Sequence, residues 1–152
     1  MMEAHEIEAA QASWGQGVVE VGACGTWEEA HEKATALVLS HYQVQDDHLL
    51  FCPTKASEQE FRRTLAGAVS YFVGGNPHFG EDQGFALQPW SSVRFSNAGI
   101  VFRGEVGLAM GNYFFGHLDG SELKAEFSFV YIRDDKGNLK IQLHHSSLPY
   151  QH

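Results

Sequence analysis

The chain is poor in the residues that staple small folds or carry them through membranes. Its 152 residues include two cysteines, Cys24 and Cys52. No C-x-x-C or finger-type spacing exists, so neither a disulfide framework nor a structural zinc site is expected. Basic residues are scarce: 10 Lys and Arg stand against 19 Asp and Glu, for a formal net charge of −9. A surface of that sign repels phosphate backbones, and no nucleic-acid partner is expected. No stretch approaches the roughly 20 apolar residues of a membrane span, and the acidic start "MMEAHEIEAAQ" lacks the apolar centre of a secretory signal. Reduced thiols, no membrane and a cytoplasmic location are the expectation. What remains is 43% hydrophobic and 19% charged, the composition of one folded domain over residues 1–152.

The first half carries helical periodicity. Ile7, Ala10, Trp14, Val18 and Val21 recur at three- and four-residue steps, although Gly15 and Gly17 each cost about 1 kcal/mol against alanine in a helix. In "TWEEAHEKATALVLSHY", Thr26 and Glu29 fit a capping box and Trp27, Ala30, Ala34, Leu37, Val38 and His41 form one stripe. "LLFCP" predicts a short extended piece. Ser57 with Glu60 suggests a second capping box, opening a helix whose apolar face holds Phe61, Leu65, Ala68, Val69, Phe72 and Val73 and which ends at "GGNP".

The second half changes period. "SSVRFSN", "GIVFRGE", "VGLAMGNYFFGH", "LKAEFSFVYIRD" and "LKIQLHHSS" predict strands, with turns at "SNAG", "HLDGS" and "DDKGN". Helices first and an antiparallel meander second define an α+β fold. In "KAEFSFVYIR" the Phe127, Phe129 and Tyr131 face packs on the helices. The opposite face keeps Val130 and Ile132, so a homo-oligomer, in its simplest form a dimer, is expected through an outer sheet face that includes Val130, Ile132 and His144. Scattered surface aliphatics are the alternative.

Three helical segments before a long curved sheet resemble the cone-shaped fold of the nuclear transport factor two-like (SnoaL-like) superfamily. That superfamily holds ketosteroid isomerases, polyketide cyclases and the association domain of calcium/calmodulin-dependent protein kinase II. "YIRDDKGNLKIQLHHSSLP" resembles the last hairpin of the association domain, and "SYFVGG", "EDQGFAL" and "AMGNYFF" resemble bacterial proteins related to it. The resemblance implies a curved antiparallel sheet closed by N-terminal helices around a pocket, and a sheet that assembles into dimers or rings. It implies either an enzyme or a non-catalytic module, since the fold hosts both.

Strand parity nominates the site. Leu139, Ile141, Leu143, His145 and Ser147 share one face, which is apolar and so expected to point inward; His144 then lies outside. Adjacent strand residues point opposite ways, so this histidine pair is not expected to share a metal ion, and no metal or cofactor is expected. His145, neutral through burial, is the candidate catalytic acid or base. Asn112, Tyr131, Trp90, Tyr71, Arg94 and Ser147 are the candidate pocket residues, around a small apolar organic ligand. Asp82 or Glu81 is a candidate carboxylate at the mouth, against a plain solvated loop. Two functions stay open: a proton-transfer enzyme of the isomerase or cyclase kind, and an oligomerisation module with a vestigial pocket.

Overall fold

The computed structural model describes residues 1–152. Helices α1 (Ala4–Gly22), α2 (Trp27–His41) and α3 (Leu65–Val73) cover one face of a five-stranded sheet. Its strands are β1 (Leu50–Cys52), β2 (Ser92–Arg103), β3 (Val106–Gly116), β4 (Glu122–Arg133) and β5 (Leu139–Ser147). The order is β1-β5-β4-β3-β2. This is the expected α+β cone, with one correction: β1 runs parallel to β5, pairing Leu50 with Leu143, so the sheet is mixed. No helix is long and apolar enough to cross a membrane.

Local chemistry sets the helix ends. The Thr26 hydroxyl accepts the Glu29 N–H at 3.1 Å, as its spacing predicts. Gly15 and Gly17 do not break α1, because both are contact points. A Cβ at Gly15 would meet Val93 Cβ of β2 at 3.0 Å, and one at Gly17 would meet Leu37 Cδ1 of α2 at 2.5 Å. The helix gives up propensity to approach the sheet and its neighbour closely.

The helix expected from Ser57 begins only at Leu65, capped by Thr64, whose hydroxyl accepts the Gly67 N–H at 3.0 Å. The intervening loop has other partners. The Glu81 carboxylate accepts the backbone N–H groups of Ser57, Glu58 and Gln59. Arg62, fully buried, forms two parallel bonds of 2.7 Å to Asp82, which also accepts from Ser70. Bidentate geometry and satisfied lone pairs are what a buried ion pair requires. The acidic loop is therefore a structural clasp. Its two carboxylates are spent on backbone and guanidinium, and Phe61 is turned out to 68% exposure.

"SNAG" is not a turn. One strand runs through it, with a register shift between Asn97 and Gly99. That bulge bends β2 and helps curl the sheet. "HLDGS" and "DDKGN" do join strands. On β4 the expected aromatic face is buried: Phe127, Phe129 and Tyr131 sit in the core with Trp14, Tyr113 and Phe115. On β3 the inward parity is the one opposite to Asn112. It carries Gly107 beneath Ile7 of α1, Ala109, Gly111 against the Ser96–Ala98 backbone of β2, then Tyr113 and Phe115.

Candidate active site

The parity of β5 inverts partway along. Tyr131 of β4 pairs with Ile141, but Val130 pairs with Leu143, leaving Gln142 as an extra residue. Ile141 points into the core; after the bulge the inward residues are His144 and Ser146. The expectation that His145 faces the interior and His144 the outside is corrected: His144 is 2% exposed, and His145 is an exposed residue of the outer face. Alternation from Leu139 was sound reasoning for an unbroken strand, and one inserted residue reverses every position beyond it.

His144 sits at the centre of the aromatic core. Phe51 stacks on its ring at 4.8 Å, and Phe129 lies 4.3 Å away on the same measure. Both ring nitrogens are bonded, Nδ1 to the Tyr42 hydroxyl at 2.9 Å and Nε2 to the Tyr113 hydroxyl at 3.0 Å. The Trp14 indole N–H donates to the Tyr42 oxygen at 3.0 Å. On the other side Tyr113 donates to Ser146 Oγ, and Ser146 Oγ lies 2.5 Å from Thr54 Oγ1. Five elements or their flanks thus supply one line of polar atoms: α1, the end of α2, the loop after β1, β3 and β5.

Thr54, Tyr71, Tyr113, His144 and Ser146 edge a small cavity, and Phe51, Phe72, Phe85 and Phe115 supply its apolar wall. About 10 Å³ is open to the centre of a water-sized sphere, which is room for roughly one water. A polar hollow of about 230 Å³ shares Tyr71 and Phe85 with it and includes the exposed Lys55. Burial dominates the electrostatics. It pushes the His144 pKa down to about 3, with a lesser push from His145. It raises the phenols of Tyr42, Tyr71 and Tyr113 above their ordinary range. At neutral pH the site is a set of uncharged donors and acceptors. One imidazole and several hydroxyls are not the thiolate, imidazole and carboxylate set that zinc takes.

Of the residues singled out in the sequence, Tyr71 borders this cavity; its hydroxyl accepts the Lys55 N–H at 3.1 Å. Trp90 is buried nearby, its indole donating to the Phe85 carbonyl at 2.7 Å. Tyr131 is buried with no partner for its hydroxyl. Asn112, His145 and Ser147 do come together, but around a shallow hollow on the outer face, where Asn112 donates to the Ala125 carbonyl. Arg94 is on that face too, paired with Glu122 and lying 3.9 Å over the Phe114 ring. Sequence reasoning missed Trp14, Tyr42, Thr54 and Tyr113 as site residues. Ser146 and Tyr113 were in view, inside "HHSSLP" and "AMGNYFF". The Ser146 side was lost with the parity of β5, and that of Tyr113 with the parity of β3.

Comparison with known proteins narrows the kinship. Residues 5–148 match the family described as metal-independent carbonic anhydrase. A protein of that name from Nostoc sp. is 39% identical, over 96% of this chain and 73% of its own length. The crystal structure of a cyanobacterial iota-carbonic anhydrase complexed with bicarbonate superposes with a TM-score of 0.95 at 35% identity, covering 99% of this chain and 94% of that one. An association domain of the calcium/calmodulin-dependent protein kinase II type from Xanthomonas campestris gives a TM-score of 0.63 at 18% identity, over 99% and 91% of the two chains. The association-domain resemblance is thus one of fold, and the sequence kinship lies elsewhere: the chain belongs to the metal-independent carbonic anhydrase family.

Proposed function

We propose that this protein catalyses the reversible hydration of carbon dioxide to bicarbonate at the His144 cavity. One observation carries the reading: the hydroxyls of Thr54, Tyr113 and Ser146, backed by a neutral imidazole, border an aromatic-walled space for about one water. A space that small does not take a steroid or a polyketide, so the expected organic ligand shrinks to a triatomic one, which together with its attacking water reaches into the adjoining hollow that shares Tyr71 and Phe85. Carbon dioxide is apolar and suits the phenylalanine wall. In the reaction a water oxygen bonds to carbon, one C=O electron pair moves onto oxygen, and the water proton leaves to solvent. The charge gathering on oxygen meets a preorganised hydroxyl donor at the end of this line, a kind of contact typically worth about 10²–10³ in rate. The bicarbonate held by the cyanobacterial relative fits the same reading.

The direct test is stopped-flow carbon dioxide hydration on protein dialysed against chelator, with metal content measured in the same sample. Activity well above the buffer rate, independent of residual metal, is expected. A rate equal to buffer from monodisperse, folded protein would remove the proposal.

A specific pattern on the outer face favours a homodimer as the assembled form. Leu50, Leu143, Val130, Leu108 and Val101 stand in register across all five strands. Leu50 and Val101 are each 46% exposed, and Met110 beside the row is 57% exposed. Aliphatics aligned across a whole sheet form a contiguous strip, unlike scattered surface residues. The strip includes Val130, and Ile132 lies next to it, but His144, expected there, is buried on the opposite face.

A further inference from the structure

The hydrogen-bonded line through His144 has a direction, and one residue sets it. Indole nitrogen can only donate. Trp14 Nε1 therefore occupies the Tyr42 oxygen as an acceptor. The Tyr42 hydroxyl has one other partner, His144 Nδ1, and both groups are buried. Were Nδ1 protonated, the Tyr42 oxygen would accept twice and its own O–H would be left buried without an acceptor, at a cost of about 1–3 kcal/mol. So Tyr42 donates to Nδ1. A neutral imidazole then carries its hydrogen on Nε2, which donates to Tyr113. Tyr113 donates to Ser146, whose own hydrogen then has Thr54 as its remaining partner, so Ser146 donates to Thr54, the last hydroxyl of the line.

We infer that Trp14 and Tyr42 are positioning residues that lock His144 as the Nε2–H tautomer, and so run the hydroxyl hydrogens from Tyr113 through Ser146 to Thr54, whose O–H is left as the donor that faces the cavity. Neither Trp14 Nε1 nor the Tyr42 oxygen has a hydrogen bond to Tyr113, Ser146 or Thr54, so both set the hydrogen positions through the imidazole; the Trp14 ring also stacks on Tyr113 and lines the cavity, which is why Tyr42 gives the cleaner variant. In this state His144 has no free lone pair. It backs an array that stabilises negative charge on a bound oxygen, and it is not the base that takes the water proton. The titratable groups facing it are Tyr42 from the end of α2 and Tyr113 from β3, with Tyr71 of α3 on the same cavity and His145 next to it on β5; no acidic or cationic side chain bonds to it. The orientation of the line is independent of the substrate, but its catalytic meaning rests on the reading of the cavity given above.

Long-range proton–nitrogen NMR on 15N-labelled protein reads the tautomer directly. A single Nε2–H species for His144 is expected in the parent protein at pH 7; an Nδ1–H species would overturn the inference. Tyr42→Phe deletes the donor to Nδ1 while keeping the ring. It should mix the tautomers, raise the His144 titration midpoint, and lower kcat about 10-fold with little change in KM, the rate equivalent of one lost buried hydrogen bond. Trp14→Phe should move the same signals in the same direction. Because Trp14 touches many core rings, Tyr42→Phe decides if Trp14→Phe does not fold. A folded Tyr42→Phe with an unchanged tautomer and midpoint would overturn the positioning role. An Nε2–H parent with no carbon dioxide hydration would uphold the lock and remove only the proposed reaction.

Discussion

His144 and His145 are neighbours in sequence and inhabit different media. One is stacked among aromatic rings with both nitrogens bonded; the other faces solvent beside Asn112 and Ser147. The same contrast separates the two faces of the sheet. The inner face is aromatic, and its polar atoms, apart from the Tyr131 hydroxyl, are hydrogen-bonded within the fold. The outer face carries an aliphatic strip and exposed polar groups. A side chain's chemistry here is set less by its identity than by which side of a strand a single bulge assigns it.

The largest effect that tests this contrast is on the proposed activity. His144→Ala should cost about 10²–10³ in kcat, since it removes the support of the donor line, whereas His145→Ala should leave the rate near the parent's. Stopped-flow hydration of both proteins checks it, and equal losses would erase the distinction between the two histidines. Next is the buried clasp on the helical side. Asp82→Ala leaves the Arg62 guanidinium buried without its partner and should destabilise by about 3–5 kcal/mol in urea unfolding.

The enclosed histidine also makes stability depend on pH. His144 has its pKa depressed in the fold by burial, to about 3, against about 6.5 in an unfolded chain. Above pH 6.5 neither state binds the proton. As pH falls below 6.5 the unfolded state takes it up first, so stability declines toward pH 3, by at most about 1.4 kcal/mol per pH unit from this residue. His41, also lowered by burial, acts in the same direction. Unfolding midpoints between pH 8 and 4 should therefore fall, with a shallower slope in His144→Gln. An equal slope in the two proteins would show that His144 is not held neutral.

On the outer face, Val130→Asp should convert the expected dimer to monomer in sedimentation at micromolar concentration, with the fold intact by circular dichroism. A parent that is already monomeric removes the proposed interface. The smallest effect is the stability of His145→Ala, expected within about 0.5 kcal/mol of the parent, as for other exposed positions.

Much of the fold was legible in the chain. The stripe of α2, its Thr26 cap, the aromatic face of β4 and the change of period between halves all follow from spacing, because burial rewards the same residues wherever the period holds. The site was legible in outline. The "HHSS" segment at the end of β5 does carry its imidazole and its hydroxyl. Which imidazole was hidden, because the extra residue Gln142 is visible only as a register shift against β4. The inward face of β3 was hidden for a related reason. Glycine and alanine at 107, 109 and 111 look like an outer face until Ile7 of α1 is laid on Gly107 and the bulge of β2 on Gly111. The clasp of Arg62, Glu81 and Asp82 joins segments about 20 residues apart and leaves no periodic trace.

The sequence by itself determined the class, the helix caps, the aromatic core and the presence of one polar cluster at the end of the last strand, because each depends on residues close along the chain. Tertiary structure alone decided which histidine the core would enclose, what would bond to its two nitrogens, and how little room would remain beside it. Those outcomes depend on Trp14, Tyr42, Tyr113 and His144 meeting across as many as 130 residues of chain, and on a buried polar group having no alternative to the partners that packing brings it.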